Sequence, residues 1–133
     1  MCIRDSLAVD TIKIADQAVT IPVSAYTSGT VSSSGEHEVQ TVSIAATGAP
    51  IEILCSVRLK RVAFGSSTGE VKIYRDTTLI YSAEADVSAI PIITTFAISD
   101  TPSAGSYTYK LVVSSTGNMI KSNRYMRALE TKK

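Results

Sequence analysis

A chain of 133 residues, 44% of them hydrophobic, with a formal charge of +1, fits one folded domain with a real core. That balance excludes a disordered chain, a dedicated nucleic-acid binder and a strongly acidic tail. No apolar run reaches the ~18–20 residues of a membrane helix, and no basic region followed by an apolar run marks a secretion signal.

Ser and Thr are abundant, and Val, Ile and Tyr are plentiful relative to the helix formers Leu, Glu and Lys, which favours strands joined by polar turns. The opening MCIRDS resembles a spurious leader left where environmental sequence assemblies end in untrimmed adapter. Residues 1–6 are therefore expected to be non-native, with the native gene extending upstream and residues 7–133 forming a single domain. TIKIADQAVTIPVSAY predicts one or two short strands broken near Asp16, with Pro22 confined to an edge or an irregularity. TSGTVSSSGE has the composition of a flexible loop. EVQTVSIAA then forms a strand with Val42, Ile44 and Ala46 on one face, and TGAP turns it into the next.

That next segment, IEILCSVRLKR, carries the clearest signal. Ile51, Ile53, Cys55, Val57 and Leu59 share one face, and Glu52, Ser56, Arg58 and Lys60 share the other, with Leu54 the exception. Successive side chains of a strand point to opposite faces, whereas a helix would scatter these residues around its circumference. Cys55, inside this apolar set, reads as a buried free thiol; a disulfide to Cys2, the other cysteine, is the alternative. After Lys60 the phase slips to Val62 and Phe64, which predicts a bulge near Arg61. GSSTG is a loop, and EVKIYRDTTLIYS a hairpin with Val71, Ile73, Leu79 and Tyr81 inward and Asp76-Thr77 near the turn.

IPIITTFAISD is a further strand with Ile92, Phe96 and Ile98 in phase, ended by Pro102, which has no N–H for a ladder. Gly105 permits a reversal into a strand lined by Tyr107, Tyr109, Leu111 and Val113. SSTGN turns the chain again, and MIKSNRYMRALETKK supplies the last strand. The expectation is all-β: about eight antiparallel strands and no helix, forming a β-sandwich, foremost a jelly roll, with a barrel as the other closure. Its core should include Ile44, Ile53, Cys55, Val57, Leu59, Ile73, Phe96, Tyr109 and Leu111.

Catalytic chemistry has little to work with. His37 is the single histidine; on a strand it points away from Glu36 and Glu38, so the three do not converge on a metal ion, and no nucleophile motif accompanies it. Asp76, Glu84 and Asp86 fall in or near turns and read as solvated charges rather than a glycosidase pair. Gly65 and Gly69 bracket Ser-Ser-Thr without a following Lys or helix, unlike a phosphate loop. The basic sets Arg58, Lys60, Arg61 and Lys121, Arg124, Arg127 read as the wet face of a sheet, not a nucleic-acid surface. No enzyme activity, cofactor or metal is expected.

SDTPSAGSYTYKLVV followed by NRYMRALETKK, with the hairpin GEVKIYRDTTLIYS, resembles the C-terminal domains of bacteriophage tail-fibre, head-fibre and related virion proteins. Those domains are similar to trimeric jelly rolls of the tumour-necrosis-factor type, and the likeness spans about residues 38–133. The resemblance implies a non-catalytic structural virion protein, a fibre tip or adhesion head. It would be made in the host cytoplasm, sit on the particle exterior beside other virion proteins, and bind a host surface glycan or protein without inserting into a membrane. A carbohydrate-binding or adhesion module of cellular origin, and a capsid decoration protein, are the alternatives.

Small polar loops held on a rigid scaffold are where ligand contact is expected: Ser32, Ser33 and Ser34, Ser66, Ser67 and Thr68, and Thr116 with Asn118. Leu54, Ile80, Ile93 and Val112 lie opposite their strands' core residues, which predicts a second apolar surface buried in a homotrimer.

Overall fold

The computed structural model describes residues 22–62, 67–87 and 90–131. These form seven antiparallel strands and no helix: β1 (Val23–Thr27), β2 (Val31–Ala46), β3 (Ile51–Arg61), β4 (Ser67–Arg75), β5 (Thr78–Val87), β6 (Ile92–Asp100) and β7 (Gly105–Glu130). They make one sheet in the order β5-β4-β7-β3-β6, with β1 and β2 also paired to β7. The expected break near Asp16, and Phe64 with its phase slip, lie outside the described residues.

Seven strands replace the expected eight because SSTGN does not reverse the chain. β7 runs through it for 26 residues. Its first half pairs with β2 and β4, and its second half with β1, β3 and the start of β2. The turn-like composition is absorbed as an irregularity: β2 pairs Ser33 with Met119 but Gly35 with Ser115, leaving extra residues on β7. Gly35 takes a φ of 86° there, a left-handed value that glycine reaches without strain. Ser115 Oγ donates to the Gly117 carbonyl at 2.9 Å, and Val62 N donates to the Asn118 carbonyl at 3.3 Å. The expected loop over residues 27–36 is corrected likewise, since Val31 to Glu36 belong to β2.

The sheet curls until its two terminal strands meet. Tyr81 of β5 stacks on Phe96 of β6, ring centroids 5.3 Å apart. At the far end Asp100 of β6 accepts two bonds from Arg75 Nη1, at 2.8 and 2.7 Å, and one from Tyr109 Oη at 2.8 Å. Inside the curl β3 keeps strict alternation: Ile51, Ile53, Cys55, Val57 and Leu59 are fully enclosed. Ile44, Ile73, Tyr109 and Leu111 are buried with them, and Phe96 packs against them half-buried. Val57 and Leu111, whose enclosure fixes the register, are both 0% exposed.

Two phase assignments change at bulges. Ile73 pairs with Tyr81 but Tyr74 with Leu79, so Ile80 is an extra residue on β5. Ile80 consequently packs against the core, and Leu79, expected inward, is 48% exposed. β3 holds its alternation through Arg61, which is buried, leaving Val62 exposed.

Cys55 is a free thiol whose pKa burial pushes up to about 12. The neutral thiol therefore contributes stability that is complete below the ordinary 9.0 and declines as pH rises towards 12. A thiol reagent at mildly alkaline pH should leave Cys55 unmodified in the native chain and label it fully in denaturant, as peptide mapping by mass spectrometry would show. The closure is testable separately. Asp100→Ala strands Tyr109 Oη and the Arg75 guanidinium, and should cost about 2–4 kcal/mol in urea unfolding.

Candidate functional site

The polar stretches expected to contact a ligand meet where the middle of β7 passes between β2 and β4. Gly35 and Gly69 both pair with Ser115, from opposite sides. A hollow of about 160 Å³ opens there, lined by Thr68, Gly69, Glu70, Glu84, Ser114, Ser115 and Thr116. Thr68 and Thr116, assigned to separate loops by sequence, thus share one wall. Ser33, opposite Met119, faces the interior half-buried; Ser32 and Ser34 are exposed strand residues of β2, and Asn118 is exposed on β7. Ser67 opens β4, and Ser66 lies outside the described residues. His37 is exposed, its Nε2 2.8 Å from the Ser34 carbonyl.

Sequence reasoning missed Lys121. It pairs with Leu59 and Val31 and shares their inward face, where it is fully buried. Nζ donates to the Ser33 carbonyl at 3.0 Å and to Ser33 Oγ at 2.9 Å. Burial lowers its pKa from the ordinary 10.5. The signal was present: Met119 and Lys121 stand two apart on a strand, so one face must hold both.

The two outer faces differ in charge. Across β2, β7, β4 and β5 the register places Glu36, Glu38, Glu70 and Glu84 outward with Lys72 and Lys110. Glu70 stands directly opposite Glu84, and Lys72 lies 3.8 Å from both Glu70 and Glu36. Across β6, β3, β7 and β1 the outward set is Arg58, Lys60 and Arg127 with Glu52. A hollow of about 260 Å³ on this basic face is walled by Glu52, Leu54, Ala97, Ser99 and Arg127. Tyr26 and Tyr125 form a facing pair nearby, Tyr26 62% exposed.

The four residues expected at a trimer surface separate. Leu54 is half-buried in the basic-face hollow and Ile93, on the same face, is 70% exposed. Ile80 leaves the set because its bulge turns it inward. Val112 leaves it because it is 6% exposed within its own chain, flanked in register by the long side chains of Glu38 and Lys72.

No family model matches the chain, and no curated protein matches it by sequence. Solved structures do match in fold. The VP2 subviral particle of infectious bursal disease virus superposes with a TM-score of 0.61 at 11% identity over 87% of this chain. The Eiger TNF of S. frugiperda gives 0.53 at 10% identity over 84%, and latent PorU of Porphyromonas gingivalis 0.52 at 13% over 87%. The chain spans 34% of VP2 and 13% of PorU, but 92% of Eiger TNF. The curled antiparallel sheet thus shares its fold with a viral capsid protein and with a TNF domain.

A buried ammonium with no carboxylate bonded to it is costly. Lys121→Met should therefore raise stability in chloride buffer by about 1–2 kcal/mol in urea unfolding. Since the lysine pKa is depressed on folding, its penalty is complete below the folded pKa and fades as pH approaches 10.5. The gain from Lys121→Met should shrink over the same range.

Proposed function

We propose that this chain is a non-catalytic structural module of a bacteriophage virion, a fibre tip or adhesion head that assembles as a homotrimer and contacts a host surface glycan or protein. The observation that carries this reading is the fold, shared with a viral capsid protein across 87% of the chain. The Tyr-x-Tyr strand and its resemblance to phage fibre domains support the finer assignment. The Ser/Thr wall holding Thr68 and Thr116 is the contact surface in this reading, and a place on the particle exterior follows from it. Exposed Tyr26, facing half-buried Tyr125 beside the basic-face hollow, favours a second reading, a carbohydrate-binding module of cellular origin. A capsid decoration protein would share the virion setting.

Three copies closing a ring use a heterologous contact, in which one patch meets a different patch on the next copy. The acidic and basic outer faces are such a pair, and Leu54 and Ile93 give the basic one apolar contact. Light scattering on the purified chain should give three times the monomer mass. Arg58→Glu with Arg127→Glu should yield monomer, and adding Glu36→Lys with Glu70→Lys should restore the trimer. A wild-type monomer at high micromolar concentration, or a trimer indifferent to the first pair, rejects the assembly.

A further inference from the structure

The hollow at the Ser/Thr wall is lined by one kind of chemistry. Thr68, Ser114 and Thr116 supply hydroxyls, Glu70 and Glu84 supply carboxylates, Gly69 adds no side chain, and no cationic side chain lines it among the described residues. Ser115 lines it too, but its Oγ already donates to the Gly117 carbonyl at 2.9 Å. The register explains why two carboxylates fall together here. Glu84, Glu70, Ser114 and Glu36 stand opposite one another in turn across β5, β4, β7 and β2. Glu84 and Glu70 are thus like charges directly opposed on paired strands, an arrangement that weakens the sheet.

Compensation is uneven along that row. Lys72 Nζ lies 3.8 Å from a carboxylate oxygen of both Glu36 and Glu70, and Tyr74 Oη donates to Glu36 at 3.3 Å. Glu84, on the edge strand β5, is exposed and has no ion pair or hydrogen bond among the described residues. An ionised carboxylate accepts hydrogen bonds and donates none, whereas a hydroxyl does both. The hollow therefore offers more acceptors than donors, and what complements it carries O–H or N–H groups. A sugar hydroxyl or an ammonium bonds a carboxylate with about twice the strength of a neutral pair. A carboxylate, sulfate or phosphate would instead set a like charge beside Glu70 and Glu84. At about 160 Å³ the hollow is smaller than the ~300 Å³ of ordinary ligand pockets, which leaves room for one terminal sugar and not for a run of them.

We infer that the Ser/Thr wall selects its glycan by charge: it takes a terminal neutral or amino sugar, excludes sugar acids, and discriminates between them through Glu84. This rests on the wall being the glycan contact and adds to that reading the class of sugar. Glu84 decides because nothing competes for its carboxylate, while Glu70 is shared with Lys72. A site that rejects a wrong ligand carries a repulsive element, and the opposed glutamates are that element here. Glu84→Gln relieves their repulsion, so the variant should fold at least as stably as the native chain.

The test is a titration of the isotope-labelled whole chain, followed by NMR at matched ionic strength. The probes are glucose, glucosamine and glucuronate, then galactose, galactosamine and galacturonate, so that charge varies on a constant ring. Backbone amide shifts of Thr68, Gly69 and Thr116 report the hollow. In whichever series binds, the neutral and amino sugars should bind about tenfold tighter than the acid. Glu84→Gln should shrink that ratio about threefold, and Thr116→Val should weaken all members of the series alike. An acid that binds as tightly as its neutral and amino counterparts overturns the inference and leaves the wall as a glycan contact. An unchanged ratio in Glu84→Gln overturns it as well. Methylammonium is the control: amide shifts equal to those of the amino sugar mean plain charge attraction, which also rejects sugar selection. If none of the six sugars moves these amides, glycan contact at the wall falls together with the inference, while a virion module with a protein receptor stands.

Discussion

Everything in this fold hangs on one strand that is flanked on both sides along most of its length. β7 pairs with β4 and β2 through its first half and with β3 and β1 through its second, so neither half of the sheet exists without it. A straight strand of 26 residues would extend about 86 Å at ~3.3 Å per residue, far beyond the diameter of a domain this size. It must bend, and it does so where its ladders slip. One slip lies between Ser115 and Met119, the other around Asn123, whose φ of 48° puts a non-glycine residue in the left-handed region. Asparagine tolerates that conformation better than most residues. The bends let the two halves face each other across one core, and the Asp100 cluster ties their far ends.

What the sequence made legible was whatever repeats with period two against water. β3 is covered on one face only, so hydrophobic and polar residues alternate and the enclosed set can be read directly. The misreadings all come from contacts that local composition does not encode. SSTGN has every mark of a turn, but partners on both sides hold its backbone in line. Nothing in DTTLIYS announces that Ile80 is the extra residue, because either phase leaves one large apolar side chain outside. Val112 looked like surface because its own strand is a three-valent apolar run, Leu111 to Val113; its cover comes from lysine and glutamate stems on neighbouring strands. The site was half legible: the polar segments were named, but not that they meet, nor that a lysine stands behind them.

The close packing behind that polar wall has a specific cause. A Cβ built on Gly69 would come within 3.0 Å of the Met119 Cε, so the strand entering the hollow can pass only as glycine or by displacing the methionine. Met119 in turn fills the position between Arg61 and Ser33 in register, a flexible apolar plug among polar neighbours. The absence of a side chain at Gly69 thereby leaves room for the end of Met119.

The distribution of charge then follows from topology rather than from composition. A net charge of +1 conceals two outer faces of opposite sign and an interior with acids at one end and bases at the other. The faces are opposed because the charged residues of β2, β4 and β5 fall on one half of the curl and those of β3 and the end of β7 on the other. The interior is polarised because Asp100 and Glu130 end their strands at the Ile51 row, whereas Arg61 ends β3 and Lys121 sits beside the bend of β7. Strand ends are where a buried charge is least costly, since solvent or a ligand can reach it. Lys121 is the departure from that rule: it lies within its strand rather than at an end, and Ser33 alone bonds its ammonium.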